Sequence, residues 1–235
     1  MLSAAMMAGE MAGMETESSQ RFHDDLMNGL HAVAQPLTVL RAAIEVLSRP
    51  EAAGIDHRNY LEISAKQVAR TCDLFASVRD LVSASVLEPQ LADFDLWELL
   101  SPVIEEQTAR LQASGIGLAV VRHDRWQPIL GDAERTLQGF RAMLKTAVSL
   151  AAHGDVIEIH TAHTPGYAEI NLMNARSHGK KLNSSDRLGL SLAQISILSQ
   201  QGKYSCADDP FCCWFALPVE QTVPSQAGVA GQQIN

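Results

Sequence analysis

From Phe22 onward, apolar residues recur at Phe22, Leu26, Leu30, Val33, Leu37, Leu40, Ile44 and Leu47, in steps of four and three. That spacing keeps returning to one side of an α-helix and predicts a packed helical seam of about seven turns. Arg49-Pro50 and Gly54 then supply breakers, and Asp56 stands where the N-cap of a following helix is expected. A second pattern through Leu61, Val68, Cys72, Phe75, Val78 and Val82 predicts another long helix. Two long helices with a short connection form an antiparallel hairpin. A lone hairpin leaves an apolar seam in water and holds too little core, so the pattern predicts a homodimeric four-helix bundle.

Leu87-Glu88-Pro89 ends this texture. Beyond it, β-like runs at Leu91 to Leu96, Gly117 to Arg122, Gln127 to Leu130, Val156 to Thr161 and Tyr167 to Met173 alternate with helical patterns at Trp97 to Ser114 and Ala133 to Ala152. Thr164-Pro165-Gly166 marks a turn between the last two strands. A polar loop leads to a helix at Leu188 to Gln201, and a final strand pair ends at Trp214 to Val219. The predicted fold class is α+β, a helical hairpin followed by a two-layer α/β sandwich. The expected divisions are a disordered N-terminus at 1–19, a dimerisation hairpin at 20–87, the α/β domain at 88–220 and a disordered tail at 221–235. No internal repeat of fixed period is evident.

Composition narrows the function. The 235 residues carry 18 Lys+Arg against 27 Asp+Glu, a net charge of −9, which argues against a general nucleic-acid partner. A hydrophobic content of 46% allows real cores and excludes disorder throughout. Charged or strongly polar residues interrupt every apolar run, so no membrane span is expected. The first twenty residues carry acids and no long apolar centre, unlike a secretory signal, so a cytoplasmic location is expected. The four cysteines, Cys72, Cys206, Cys212 and Cys213, lack C-x-x-C spacing and read as reduced structural thiols. No zinc-ligand cluster stands out among the eight histidines.

The first helix contains HAVAQPLTVL, His31 to Leu40, with Pro36 five residues after the histidine. Proline inside a helix costs about 3 kcal/mol through a lost hydrogen bond and a clash, so Pro36 needs a reason. The box resembles the phosphoacceptor box of two-component histidine kinases, H-E-x-x-x-P-L, and His31 lies off the seam of Leu30, Val33 and Leu37. Downstream, Gly131-Asp132, Arg135, Gln138 and Ala147 resemble the helix of that family's asparagine box. Ile170, Leu172 and Asn174 fall where a strand enters the first glycine box, and Arg187-Leu188-Gly189-Leu190-Ser191-Leu192-Ala193 resembles the second. The resemblance covers roughly residues 20 to 220. It implies an ATPase-like fold for the second domain.

Against that pattern the nucleotide-handling residues are replaced. Thr146 stands for the asparagine that holds magnesium, Ala142 for the earlier asparagine of that box, and Asn174 for the aspartate that recognises adenine. Arg176 and His178 stand for glycines, and Arg187 for the first glycine of the second box. These replacements remove the backbone freedom and close approach that phosphates require. The acid that follows the histidine in the family is here Ala32. The combination resembles the ChpT-type histidine phosphotransferases and implies a phosphorelay without productive ATP binding.

On that reading His31 is the phosphoacceptor, response-regulator receiver domains are the partners, no cofactor is stably bound, and the receiver brings its own magnesium. Gln35 falls where the family often carries a residue that positions water for phosphatase activity, although the plainer reading is a surface helix glutamine. Lys180, Lys181 and Arg187 can attract an anion or simply solvate a loop, and Arg41, Glu45 and Arg79 read as a docking surface or as solvated faces. Two other functions fit the same residues: an active kinase fragment, and a non-catalytic pseudokinase that binds a receiver or a kinase.

Overall fold

A computed structural model describes residues 2–48, 57–122, 128–174, 176 and 180–219, with side chains from residue 24 onward except that of residue 25. Helix α1 spans Leu2–Leu47 and helix α2 spans His57–Val86. Helix α1 thus runs through residues 2–19, which the sequence reading assigned to a disordered N-terminus. The physical reason is composition: that stretch is rich in Ala, Met and Glu, which are good helix formers, and it contains no proline, which outweighs its two glycines. The expected breakers and N-cap at Arg49, Pro50, Gly54 and Asp56 lie outside the described residues, as does the tail at 221–235.

The hairpin buries a different face of α1 from the one predicted. Ala32, Val33 and Ala43 are buried, as are Gly29 and Pro36, whereas Leu30, Leu37 and Ile44 remain 47%, 44% and 50% exposed. Helix α2 divides likewise, with Thr71, Leu74, Val78, Leu81 and Ala84 inward and Leu61, Val68, Phe75 and Val82 outward. The predicted seam therefore splits between two interfaces. One is satisfied within the chain, and the other is an apolar stripe at seven-residue spacing on each helix.

The second part is a five-stranded mixed sheet in the order β2-β4-β5-β7-β6, covered by α3, α4 and α5. Its strands are β2 (Gly117–Val121), β4 (Val156–Thr164), β5 (Tyr167–Asn174), β6 (Lys203–Asp208) and β7 (Phe211–Pro218). Strands β1 (Ala92–Phe94) and β3 (Ile129–Gly131) form a small antiparallel pair beside it. The helices are α3 (Leu96–Ala113), α4 (Ala133–Leu150) and α5 (Ser184–Leu198). Phe140, Met143, Leu144, Ile157, Ile159, Ile170, Leu172 and Phe215 form the centre of this core. Asp95 and Asp132 cap α3 and α4 through their carboxylates. Gly166 takes φ +85° at the predicted Thr164-Pro165-Gly166 turn, the left-handed conformation that glycine adopts without steric cost.

The cysteine expectation is corrected. Cys206 and Cys213 face each other across the β6–β7 register and form a disulfide, while Cys72 and Cys212 are free. Directly opposed residues on antiparallel strands share a face, which a search for C-x-x-C spacing does not detect.

The α1 stretch Leu26–Leu47 is long and apolar enough, by length and composition alone, to cross a membrane. It holds no uninterrupted apolar run of that length, because Asn28, His31, Gln35 and Thr38 and the charged Arg41 and Glu45 break it.

Candidate functional site

His31 and Gln35 stand one turn apart on the exposed side of α1, while Ala32, Val33 and Pro36 turn inward. Pro36 carries no N–H, so the Ala32 carbonyl loses its helical donor while α1 continues past it. Ala32 and Val33 pack in a small core with Leu74, Val78, Leu81 and Ala84 of α2 and with Leu188 and Leu192 of α5. A carboxylate at position 32 would be buried in that apolar core at a desolvation cost.

Helix α5 thus reaches the part of α1 that carries His31. Its start lies four residues before the predicted Leu188, because Asn183 and Asp186 form a capping box. The Asn183 carboxamide oxygen accepts from the Ser185 and Asp186 amides at 2.8 and 3.1 Å, and the Asp186 carboxylate accepts from the Asn183 amide at 3.1 Å. Those caps fix the first turn of α5 so that Ser184, Arg187 and Leu188 meet Asn28 and His31 across a cleft of about 270 Å³. Gly29 makes the approach feasible: a Cβ there would stand 2.7 Å from Leu188 Cδ2 and 3.2 Å from Val78 Cγ2.

Arg187 is exposed and forms no ion pair among the described residues. Its guanidinium and the amino end of α5 place positive charge on the rim of the cleft that holds His31. The other candidate cations are engaged elsewhere. Lys180 donates to the Ala151 carbonyl at the end of α4, and Arg79 pairs with Asp80 at 2.9 Å. Arg41 donates to Glu45 at 2.8 Å, and that hydrogen bond and charge hold its pKa above the ordinary value. Lys181 is exposed on the loop before α5 and does not line the cleft.

A separate anchor joins the hairpin to the α/β layer. Arg135, buried at the start of α4, donates to Ala84 O at 3.0 Å, to Ser199 Oγ at 2.8 Å and to the Leu87 carbonyl. Sequence reasoning placed Arg135 only as a landmark, and its role as a clamp on the end of α2 becomes visible once the elements are packed.

Among the described residues, the positions that align with a nucleotide site hold no matching donor set. Thr146 is 1% exposed and its hydroxyl donates to Ala142 O at 3.0 Å, while Ala142 has no polar side chain. Asn174, 2% exposed, accepts from the Arg176 amide at 3.3 Å. Gly189 lies directly over this part of α4, where a Cβ would be 3.6 Å from Ala142 Cβ and 3.9 Å from Thr146 Oγ1. A magnesium nucleotide needs a ligating oxygen free to face the metal and glycines free to approach phosphate, and these residues do not fit it. His178 lies outside the described residues.

Asn28, Gly29 and Ser184 were missed from the sequence. The available signal was Gly29 inside an otherwise regular helical pattern, which points to a close packing approach.

No family model and no curated protein matches the chain. Solved structures do. A histidine kinase of Acinetobacter baumannii, AdeS, superposes with a TM-score of 0.60 at 16% identity, over 82% of this chain and 98% of that one. The histidine kinase ThkA, solved with the response regulator TrrA, gives 0.64 at 16% identity over 81% of this chain and 60% of that one. Full-length ShkA in complex with AMPPNP gives 0.54 at 16% identity over 87% of this chain and 46% of that one. The chain has the fold of histidine kinases, a helical hairpin followed by the ATPase-like sheet domain.

Proposed function

We propose that this protein is a histidine phosphotransferase of a two-component phosphorelay that moves a phosphoryl group between receiver-domain aspartates through His31, without productive ATP binding. The observation that carries the reading is an outward imidazole at His31 in a chain whose described nucleotide-site positions do not fit magnesium–ATP. A lone-pair nitrogen of His31 attacks the phosphorus of a phospho-aspartyl group. The P–O bond breaks, the aspartate carboxylate leaves with the electron pair, a P–N bond forms, and the proton of the second ring nitrogen passes to solvent. The reverse steps load a second receiver. The receiver supplies magnesium to neutralise the transferring oxygens, and the hairpin supplies an in-line nucleophile.

Partnering with response regulators rests on the fold shared with ThkA, which was solved with one. The exposed stripes of Leu30, Leu37 and Ile44 and of Leu61, Val68, Phe75 and Val82 support a homodimeric four-helix bundle. Covering Leu26–Leu47 in such a bundle accounts for its apolar character without a membrane, and a cytoplasmic location follows as part of the same reading. Gln35, exposed one turn from His31, is the residue positioned to hold a water for dephosphorylating a bound receiver.

The test is incubation of wild type and His31→Ala with a phosphorylated receiver. Label on wild type alone supports the reading, and equal labelling of both removes it. Magnesium–ATP is expected to leave the thermal midpoint unchanged, since a ligand selective for the folded form raises it; a clear rise would favour an active kinase fragment.

A further inference from the structure

We propose that Arg187, with Asn28 and Ser184 on the same cleft, holds the phosphoryl group carried by His31 and prolongs its life between transfers. This rests on His31 as the phosphoacceptor and gives Arg187, which stands for a glycine of the second box, a role of its own.

Four observations converge on it. His31 and Arg187 line one cleft, although they come from different halves of the chain. Arg187 has no ion-pair partner among the described residues, so its charge is not already neutralised by a carboxylate. Asn28 and Ser184 add a carboxamide and a hydroxyl, both able to donate to phosphate oxygens. The first turn of α5 is held by its capping box and by Leu188 against Gly29, so Arg187 is presented from a fixed helix end. A guanidinium suits this role because its planar donors match phosphate oxygens in pairs.

The chemical consequence concerns the P–N bond. That bond breaks most readily once the second nitrogen of the phosphoimidazole takes a proton. A neighbouring guanidinium, itself cationic, opposes that protonation. Arg187 therefore slows loss to water while leaving the phosphorus open to an incoming aspartate from the solvent side.

The experiment loads the full-length protein with phosphoramidate, a small donor that phosphorylates histidine without a receiver, and maps the label to His31 by peptide analysis. Lifetimes are then followed across pH for wild type, Arg187→Ala, Arg187→Lys and Lys181→Ala. In Arg187→Ala the label is expected to decay up to about fivefold faster, the scale of a partly exposed charge contact. Its acid-driven loss is expected to begin at higher pH. Arg187→Lys should restore most of the lifetime, and Lys181→Ala should match wild type. Equal lifetimes in Arg187→Ala and wild type, an equal effect of Lys181→Ala, or failure of phosphoramidate to load His31 would each overturn the proposal. Receiver assays on the same samples separate the two readings. Loss of receiver transfer with the Arg187 dependence intact removes the phosphorelay, whereas intact transfer with equal lifetimes removes Arg187 alone.

Discussion

Leu188 of α5 lies against Gly29 of α1 so closely that a Cβ on Gly29 would stand 2.7 Å from Leu188 Cδ2. This contact brings the α/β layer down onto the hairpin two residues before His31, and Leu188 lines the cleft that His31 and Arg187 share.

Gly29→Ala is therefore expected to destabilise the protein despite the better helix propensity of alanine. Propensity favours alanine by about 1 kcal/mol, but displacing the buried Leu188 and Val78 costs about 1–3 kcal/mol, so a net loss of ~1 kcal/mol is expected. Chemical denaturation measures it. Pairing the change with Leu188→Ala should give less than the sum of the two losses, because the shortened side chain removes the clash.

The outward stripe gives a second expectation. Phe75, 53% exposed in the single chain, stands at the middle of the α2 stripe. Phe75→Glu should convert a dimer into a monomer, read by sedimentation or light scattering as a halved mass. An unchanged mass would remove the four-helix bundle.

The Cys206–Cys213 disulfide links residues seven positions apart at the sheet edge. Closing so short a loop contributes about 2 kcal/mol in the chain-entropy model. The urea midpoint should fall when a reductant is added and should fall equally in Cys206→Ser without reductant. Disulfides persist in oxidising compartments and are rare in reducing ones. The thiol state of the protein isolated from cells, trapped by alkylation, reads out whether the bridge is closed there.

Tyr204 sets an alkaline limit. Burial, with the Asp208 charge adding to it, pushes the phenol well above its ordinary value. The unfolded chain loses this proton near pH 10 while the folded chain retains it, so stability is fully present below about pH 10 and declines above it. Tyr204→Phe should flatten that decline in a pH series of thermal midpoints.

Much of the fold was legible because its signals are local. The helix period in α1 and α2, Asp95 and Asp132 before α3 and α4, and Pro165-Gly166 between β4 and β5 each act over a few residues. The start of α5 was placed late because its signal is the polar pair Asn183 and Asp186, which precedes the apolar run used to find the helix. The expectation of disorder at residues 1–19 rests on their terminal position and sets aside the helix propensity of Ala, Met and Glu.

The candidate site divides in the same way. His31, Gln35 and Pro36 lie within six residues of one helix, so their facing follows from helical periodicity alone. What the periodicity could not assign was which apolar face pairs inside the chain and which faces a partner, since both satisfy the same spacing. The meeting of Arg187 with His31, the Arg135 clamp on α2 and the pairing of Cys206 with Cys213 join residues from separate elements. Sequence spacing constrains neighbours along one element, whereas contacts between elements depend on how helices and strands pack, and that was decided only in the tertiary structure.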